Sequence, residues 1–154
     1  MTASSSVKPF ARPPYLYSGF LVAGIIMRIF IPFTIFDRFW IGLVVGLPLV
    51  FVGALFIILA VRTLQKEHVD PRFKPVGTIV DQGLFGYTRN PMYLAFTLIY
   101  SGISLSVNSF WPFALLPFLL GIMHYGVIRR EERYLEELFG DEYRAYRRRV
   151  HRWL

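Results

Sequence analysis

The residues best suited to chemistry in this chain form two short polar groups beside apolar runs. The first is the segment 83–93, which carries Arg89, Asn90 and Tyr93 where a polar loop meets a new apolar run. The second is the pair Glu131-Glu132, which follows the next two apolar runs. Charged and amide side chains at a membrane boundary are costly to place there unless they are used. Together the two groups predict an active site at a membrane interface.

The composition predicts a membrane protein. Of the 154 residues, 55% are hydrophobic and only 18% are charged, which is too apolar for a soluble domain of this size. The absence of Cys excludes disulfides, Cys-based metal sites and thiol nucleophiles. Residues 1–14 are polar, and the apolar run after them is too long for the core of a cleavable signal peptide.

Four apolar runs predict an all-α integral membrane domain with about four transmembrane helices. The run 15–36 contains Arg28 and would extend roughly 33 Å as a helix, enough to cross the hydrocarbon core. The other three runs are 40–61, 92–107 and 110–128. The run 92–107 is short, at roughly 24 Å. Glycines in the first two runs indicate close helix contacts rather than a cofactor loop: Gly19, Gly24, Gly42, Gly46 and Gly53.

The remaining segments complete a single domain. We predict a flexible N-terminus over 1–14, two spans within 15–61 and a cytoplasmic cofactor loop over 62–91. A helical hairpin would occupy 92–128, and an amphipathic cytoplasmic helix with a break near Gly140 would occupy 129–154.

The basic residues predict the orientation of the chain. Fifteen of the 17 Lys and Arg lie in the N-terminus, the 62–91 loop or the tail after Ile128, whereas Arg38 lies on the other side and Arg28 within a span. The positive-inside rule therefore places both termini and the loop in the cytoplasm. This distribution explains the net charge of +7 better than nucleic-acid binding does.

The two polar groups resemble the isoprenylcysteine carboxyl methyltransferase family and its phospholipid-methyltransferase relatives. The family pattern is a Gly-x-Tyr-x-x-x-Arg-His-Pro-x-Tyr element, a hydrophobic hairpin, a Glu pair and a Phe-Gly-x-x-Tyr-x-x-Tyr tail, and Gly83-Leu84-Phe85 corresponds to its start. The other corresponding residues here begin with Arg89-Asn90-Pro91-Met92-Tyr93 and Glu131-Glu132, and the tail runs from Phe139-Gly140 through Tyr143 to Tyr146. The resemblance covers roughly 61–154.

The resemblance implies a membrane methyltransferase that uses S-adenosyl-L-methionine. It implies that Glu131 binds the ammonium group of this donor, that Asn90 bridges donor groups, and that Tyr93 hydrogen-bonds and packs beside them. We expect these three residues to be the catalytic set. Other donor contacts implied by the resemblance are Gly77, Thr78, Ile79, Val80, Phe85, Arg89 and Pro91.

On the acceptor side we expect Arg129 and His124 to contact a membrane lipid or another lipophilic small molecule. His124 precedes Glu131 by seven residues, so the two would share one face of an α-helix, about 10.5 Å apart. An amine acceptor could give its proton to His124, whereas a carboxylate acceptor needs no base. A structural His bonded to a carbonyl is the alternative. The three scattered His predict no metal site.

Three positions differ from the commoner family pattern and leave the acceptor open. Asn90 stands in place of His, Phe85 in place of Tyr, and Val127 where a substrate-contacting Arg precedes the Glu pair in prenylcysteine enzymes. An isoprenylcysteine-like carboxylate and a phospholipid amine therefore both remain candidate acceptors. The Asn form resembles bacterial relatives, which implies a multi-pass protein of a bacterial inner membrane.

Two other functions compete with the methyltransferase hypothesis. Membrane sterol reductases have a similar Arg-His-Pro-x-Tyr tail and bind NADPH, although those chains are much longer. A non-catalytic four-helix scaffold is the second alternative, and it predicts that Asn90, Tyr93 and Glu131 point apart. Glu131 would then be a surface carboxylate paired with Arg129 or Arg130.

Overall fold

The protein is an all-α membrane protein, as the apolar runs predicted. The computed structural model describes residues 12–69 and 78–153, and no β-strand occurs among them. The α-helices are α1 Pro13–Phe30, α2 Phe39–Lys66, α3 Pro91–Ser106, α4 Phe110–Ile122, α5 Arg129–Phe139 and α6 Asp141–Arg149. A short 3₁₀ turn, Gly83–Gly86, precedes α3, and a π-helical segment, Met123–Ile128, joins α4 to α5.

Three helices within the described residues are long and apolar enough to cross a membrane: Pro13–Phe30, Phe39–Lys66 and the continuous helix Phe110–Phe139. The fourth, α3, is apolar but has only 16 residues. Large apolar side chains such as Phe51, which is 71% exposed, cover the outside of the bundle. Such a surface suits lipid, because hydrocarbon does not penalise exposed apolar groups.

The helices pack as two pairs, with α3 lying along α2 and α4 against α1. Glycines bring α2 and α3 into backbone contact, as predicted for Gly42, Gly46 and Gly53. A Cβ at Gly46 would collide with the carbonyl oxygen of Gly102, whereas Gly19 on α1 has open space beside it. Small residues thus allow the close approach of helices that lipid alone does not drive together.

Asn108 fixes the two hairpins to each other at the end of the bundle away from α6. Its Oδ1 accepts hydrogen bonds from the backbone N–H groups of Ile35 and Phe36 at 3.1 and 2.9 Å, and its Nδ2 donates to the Phe36 carbonyl at 2.9 Å. Asn108 is buried and has a φ of 51°, in the left-handed region that Asn tolerates better than most residues.

The fourth apolar run does not end at Ile128. The helix continues through the π segment into α5 and stops at Gly140, whose φ of 53° ends it at the break indicated by the sequence. The tail after Gly140 forms α6, and Val150 then adopts an extended conformation. The tail 129–154, expected as an amphipathic helix with a break near Gly140, therefore contains two helices that meet at this residue.

The contact between α2 and α3 gives a first testable prediction. We expect Gly46→Ala to lower the melting temperature of the protein in detergent micelles, because its methyl group would force the two backbones apart. Gly19→Ala is the matched control, and we expect it to leave stability unchanged or raise it by up to about 1 kcal/mol, the usual helix preference of Ala over Gly. Equal melting temperatures for the two variants would contradict the contact.

Candidate active site

A tight turn sets the start of α3 and with it the first polar group. Asn90 is the residue before the helix, and Pro91 occupies its first position, where a missing N–H costs nothing. The Asn90 N–H donates to the Thr88 hydroxyl at 3.2 Å, which holds the turn. Tyr93 therefore enters the bundle in the first turn of α3, where it is 3% exposed.

Tyr93 and Glu131 meet across the molecule. The Tyr93 hydroxyl donates to Oε2 of Glu131 at 2.9 Å. Tyr93 also belongs to the hydrophobic core between α1, α3 and α4, where it packs with Tyr17, Met123 and Ile128. The pair thus lies where the apolar core meets the polar end of the bundle.

Glu132, next to Glu131, binds two arginines. Its Oε1 lies 2.9 Å from Nη1 of Arg89, and Arg152 donates to both carboxylate oxygens at 2.8 and 2.7 Å. The side chains of Arg89 and Glu132 are only 8% and 11% exposed. An ion pair this buried is screened far less than one at the surface. We call this group of Arg89, Glu132 and Arg152 the Glu132 clamp.

The C-terminal segment 150–153 pairs with the turn before α3. His151 and Thr88 form a parallel β-bridge, and the Arg89 N–H donates to the His151 carbonyl at 2.9 Å. The Arg152 carbonyl accepts from Asn90 Nδ2 at 2.9 Å and from the Thr88 hydroxyl at 3.2 Å. One amide hydrogen of Asn90 is thus used to hold the chain's own end.

Two tyrosines of α6 complete this end of the molecule. Tyr146 donates to the Phe85 carbonyl at 2.7 Å, which holds the 3₁₀ turn against α6. The Tyr143 hydroxyl accepts from Nη1 of Arg89 at 3.3 Å. Burial, and next the negative charge of Glu132, raises the pKa of Tyr143 above its usual range. Tyr143 therefore keeps its proton and remains a neutral partner for Arg89.

These elements enclose a cavity of about 130 Å³, which we call the clamp cavity. It receives residues from the end of α2, the start of α3, α5 and α6. Nine residues predicted to contact a donor line it: Thr78, Ile79, Val80, Phe85, Arg89, Asn90, Pro91, Tyr93 and Glu131. The tenth, Gly77, lies outside the described residues.

Sequence reasoning missed several residues that line the clamp cavity. They are Leu64, Val69, Met92, Glu132, Leu135, Tyr143 and Tyr146. Tyr143 and Tyr146 belong to the tail pattern, whose spacing could have indicated them. Nothing in the sequence distinguishes Leu64 from the other apolar residues near the end of α2. It lines the cavity only because α6 and the turn before α3 pack beside it.

Arg129 and His124 do not reach the clamp cavity. Arg129 is exposed and lies over the ring of Tyr125, 5.6 Å from its centroid, and the His124 ring packs edge-on against the same tyrosine at 4.8 Å. The π segment between His124 and Glu131 places extra residues in a turn, so the seven-residue spacing does not put them on one face. The shared-face expectation was therefore wrong.

The geometry also bears on the non-catalytic alternative. Asn90, Tyr93 and Glu131 line one cavity instead of pointing apart. Within the described part of the chain, Glu131 pairs with neither Arg129 nor Arg130, because its hydrogen-bond partner is Tyr93. The arrangement is that of a ligand site more than of a surface charge pair.

The Glu132 clamp gives a second prediction. We expect Glu132→Gln to lower the free energy of unfolding by about 3–5 kcal/mol, the cost of leaving a buried charge without its partner. The measurement is thermal or denaturant unfolding in micelles. Glu137→Gln, a change on the exposed face of the same helix, is the control and is expected to change stability by less than about 0.5 kcal/mol. A loss below about 1 kcal/mol for Glu132→Gln would show that the clamp contributes little.

Comparisons with known proteins indicate the family of the chain. A family model described as phospholipid methyltransferase matches residues 41–142, which include most of α2 and all of α3, α4 and α5. Over 64 residues the chain is 45% identical to an uncharacterized protein of Haemophilus influenzae; the match covers 41% of this chain and all of that protein. No solved structure matches the chain.

A second relative is more distant. The chain is 32% identical over 72 residues to the protein-S-isoprenylcysteine O-methyltransferase of Schizosaccharomyces pombe. That match covers 47% of this chain and 30% of the yeast protein.

Proposed function

This chain belongs to the phospholipid methyltransferase family, and from this premise we propose that it uses S-adenosyl-L-methionine, bound in the clamp cavity, to methylate a lipophilic acceptor. The family and the yeast relative indicate a membrane methyltransferase. The donor, the acceptor and the roles of individual residues are our proposal.

One observation carries the proposal: among the described residues, no Lys or Arg side chain pairs with Glu131. Within the described residues both neighbouring arginines, Arg89 and Arg152, bind Glu132, and Glu131 accepts only the hydrogen bond of Tyr93. A carboxylate in a partly closed cavity is stabilised by a positively charged ligand. The ammonium group of S-adenosyl-L-methionine provides such a charge.

A second polar atom in the cavity wall suits the other end of an amino acid. Nε of Arg89 is buried and has no hydrogen-bond partner among the described residues. A buried donor without an acceptor is costly, and the carboxylate of the donor molecule would supply one. The apolar wall formed by Ile79, Val80 and Phe85 suits an adenine ring. The residues present therefore fit this donor.

The protein's contribution to the reaction is mainly alignment. When bound, S-adenosyl-L-methionine would supply a methyl group on a positively charged sulfur. The acceptor would form its bond to the methyl carbon from the side opposite the sulfur, and the sulfur would leave as a neutral thioether. Tyr93 holds the Glu131 carboxylate in place, and the hydrophobic core behind Tyr93 keeps water from that side of the cavity. Correct placement of two reactants by such groups accounts for much of the rate of a displacement.

The acceptor would arrive laterally from the cytoplasmic leaflet. Arg129 and His124 lie beside the exposed Tyr125 on the outer surface, at the boundary between the apolar span and the charged end. We propose that they contact the polar headgroup of the acceptor before it reaches the cavity. A proton-transfer role for His124 gains no support from this position, and a carboxylate acceptor would need none.

We propose that the charged end of the bundle faces the cytoplasm of a bacterial cell. The end of α2, the turn before α3, α5 and α6 all lie there, and they carry most of the described basic residues. The positive-inside rule favours this orientation, in which the donor enters from the cytoplasm.

Binding of S-adenosylhomocysteine tests the donor site, because this molecule retains the ammonium and carboxylate groups. We expect isothermal titration to show binding by the purified protein in micelles. Glu131→Gln should weaken it by about 10- to 100-fold, the value of a hydrogen bond to a charged group, and Tyr93→Phe by about fivefold. Glu137→Gln is the matched control. Folded wild-type protein that does not bind would overturn the proposal, as would binding of NADPH in its place.

Transfer of a labelled methyl group tests the acceptor class. We expect the wild-type protein, incubated with labelled donor and a membrane extract, to place label in the organic-soluble fraction, and Glu131→Gln to place at least about tenfold less there. Base-labile label indicates a methyl ester on a carboxylate, whereas base-stable label in phospholipid indicates an amine. Label only in the aqueous fraction would contradict a lipophilic acceptor.

A further inference from the structure

We propose that Arg152, in the C-terminal segment 150–153, is a positioning residue of the clamp cavity that sets where Arg89 and Asn90 stand. This inference rests on the proposed function. Arg152 does not itself line the cavity, yet it contacts residues that do: Glu132 through its guanidinium and Asn90 through its carbonyl.

The guanidinium of Arg152 fixes Glu132 in one orientation. Nε donates to Oε1 at 2.8 Å and an Nη donates to Oε2 at 2.7 Å, so both carboxylate oxygens are held. A bidentate pair of this kind fixes geometry as well as charge. Glu132 then offers Oε1 to Nη1 of Arg89 at 2.9 Å. Arg152 thus controls, through one carboxylate, where the Arg89 side chain lies.

Two contacts hold Arg89 through a single guanidinium nitrogen, and they determine which of its other atoms is available to a ligand. Nη1 contacts both Glu132 and the Tyr143 hydroxyl, at 2.9 and 3.3 Å, while the buried Nε lacks a partner among the described residues. Because the guanidinium is rigid and planar, the two contacts of Nη1 restrict the directions in which the Nε–H can point. Release of Glu132 by Arg152 would let that direction change.

The main chain of Arg152 acts on a second cavity residue. Its carbonyl accepts from Asn90 Nδ2 at 2.9 Å and so determines which way the Asn90 amide faces. The same carbonyl accepts from the Thr88 hydroxyl, which in turn accepts from the Asn90 N–H. The side chain and the main chain of Arg152 therefore position Arg89 and Asn90, the two polar residues that precede α3.

The other tail arginines do not share this arrangement. Arg149 pairs with Asp81 and Arg147 with Glu136, and all four side chains are at least one-third exposed. Neither of those carboxylates lines the clamp cavity. Arg152, with 29% of its side chain exposed, pairs with a carboxylate that does. Arg149 is consequently a matched control: the same residue type, in the same tail, with an ion pair of its own.

The test measures the affinity of Arg152→Gln for S-adenosylhomocysteine by isothermal titration, using the full chain in micelles. We expect the Kd to rise about tenfold, within the range of coupling between residues in one network. Arg149→Gln should leave the Kd within about twofold of wild type. Arg152→Lys, which keeps the charge but loses the bidentate contact, should fall between wild type and Arg152→Gln.

A purely structural role gives a different result. If Arg152 only stabilises the fold, Arg152→Gln lowers the melting temperature and the fraction of protein that binds, while the Kd of the folded fraction stays at the wild-type value. That outcome overturns the proposal.

In a Glu132→Gln background we expect Arg152→Gln to change the Kd by less than about twofold, because its side chain acts through Glu132. A full tenfold effect in that background also overturns it.

The outcome separates this inference from the proposed function. Wild-type protein that binds no S-adenosylhomocysteine contradicts the donor site itself. If the wild-type protein and Arg152→Gln bind S-adenosylhomocysteine equally well, only the positioning role of Arg152 is contradicted.

Discussion

The charged end of this molecule depends on one carboxylate that holds two guanidinium groups. Glu132 joins Arg89, from the turn before α3, to Arg152, from the last residues of the described chain. The two ion pairs therefore join the turn before α3, α5 and the C-terminal segment at one carboxylate. A charged pair this poorly hydrated depends on additional hydrogen bonds of its members, and here Arg152 donates to Glu132 and Arg89 donates to the Tyr143 hydroxyl.

The same ion pairs give Glu131 different partners from those of its neighbour Glu132. Because both arginines bind Glu132, the adjacent Glu131 carboxyl group keeps, among the described residues, only the hydrogen bond from Tyr93, and it lines the cavity. Two chemically identical residues in sequence thus acquire separate tasks from their surroundings: Glu132 stabilises the fold, and Glu131 is the one that we propose meets a ligand.

The spanning part of the protein obeys a different constraint, which is that lipid satisfies no polar group. Several buried hydroxyls bond within the bundle, as Tyr100 does to the Pro112 carbonyl at 2.8 Å, whereas the buried hydroxyls of Ser106 and Ser109 have no hydrogen-bond partner among the described residues. At the far end Asn108 bonds to the backbone of the loop between α1 and α2. Glycine contacts between α2 and α3 allow the helices to pack closely enough to support the cavity.

The sequence by itself determined the fold class, the approximate spans and most of the cavity wall. Apolar runs of membrane length and the paired Arg-Asn-Pro-x-Tyr and Glu-Glu elements are local patterns, and local patterns can be read without a structure. The turn residues around Asn90 and Pro91 likewise fix the start of α3 locally. The structure confirmed the fold class, and nine of the predicted donor contacts line one cavity, where their roles towards a donor stay predictions.

Only the tertiary structure decided which charges meet and which residues stay outside. The π segment turned His124 away from Glu131, a change in helix register that no side-chain pattern announces. Arg152 reached Glu132 because the helix break at Gly140 folds α6 back over the turn. Pairing between distant charges depends on where whole elements pack. The sequence therefore indicated both glutamates, but only the tertiary structure determined which residues pair with them.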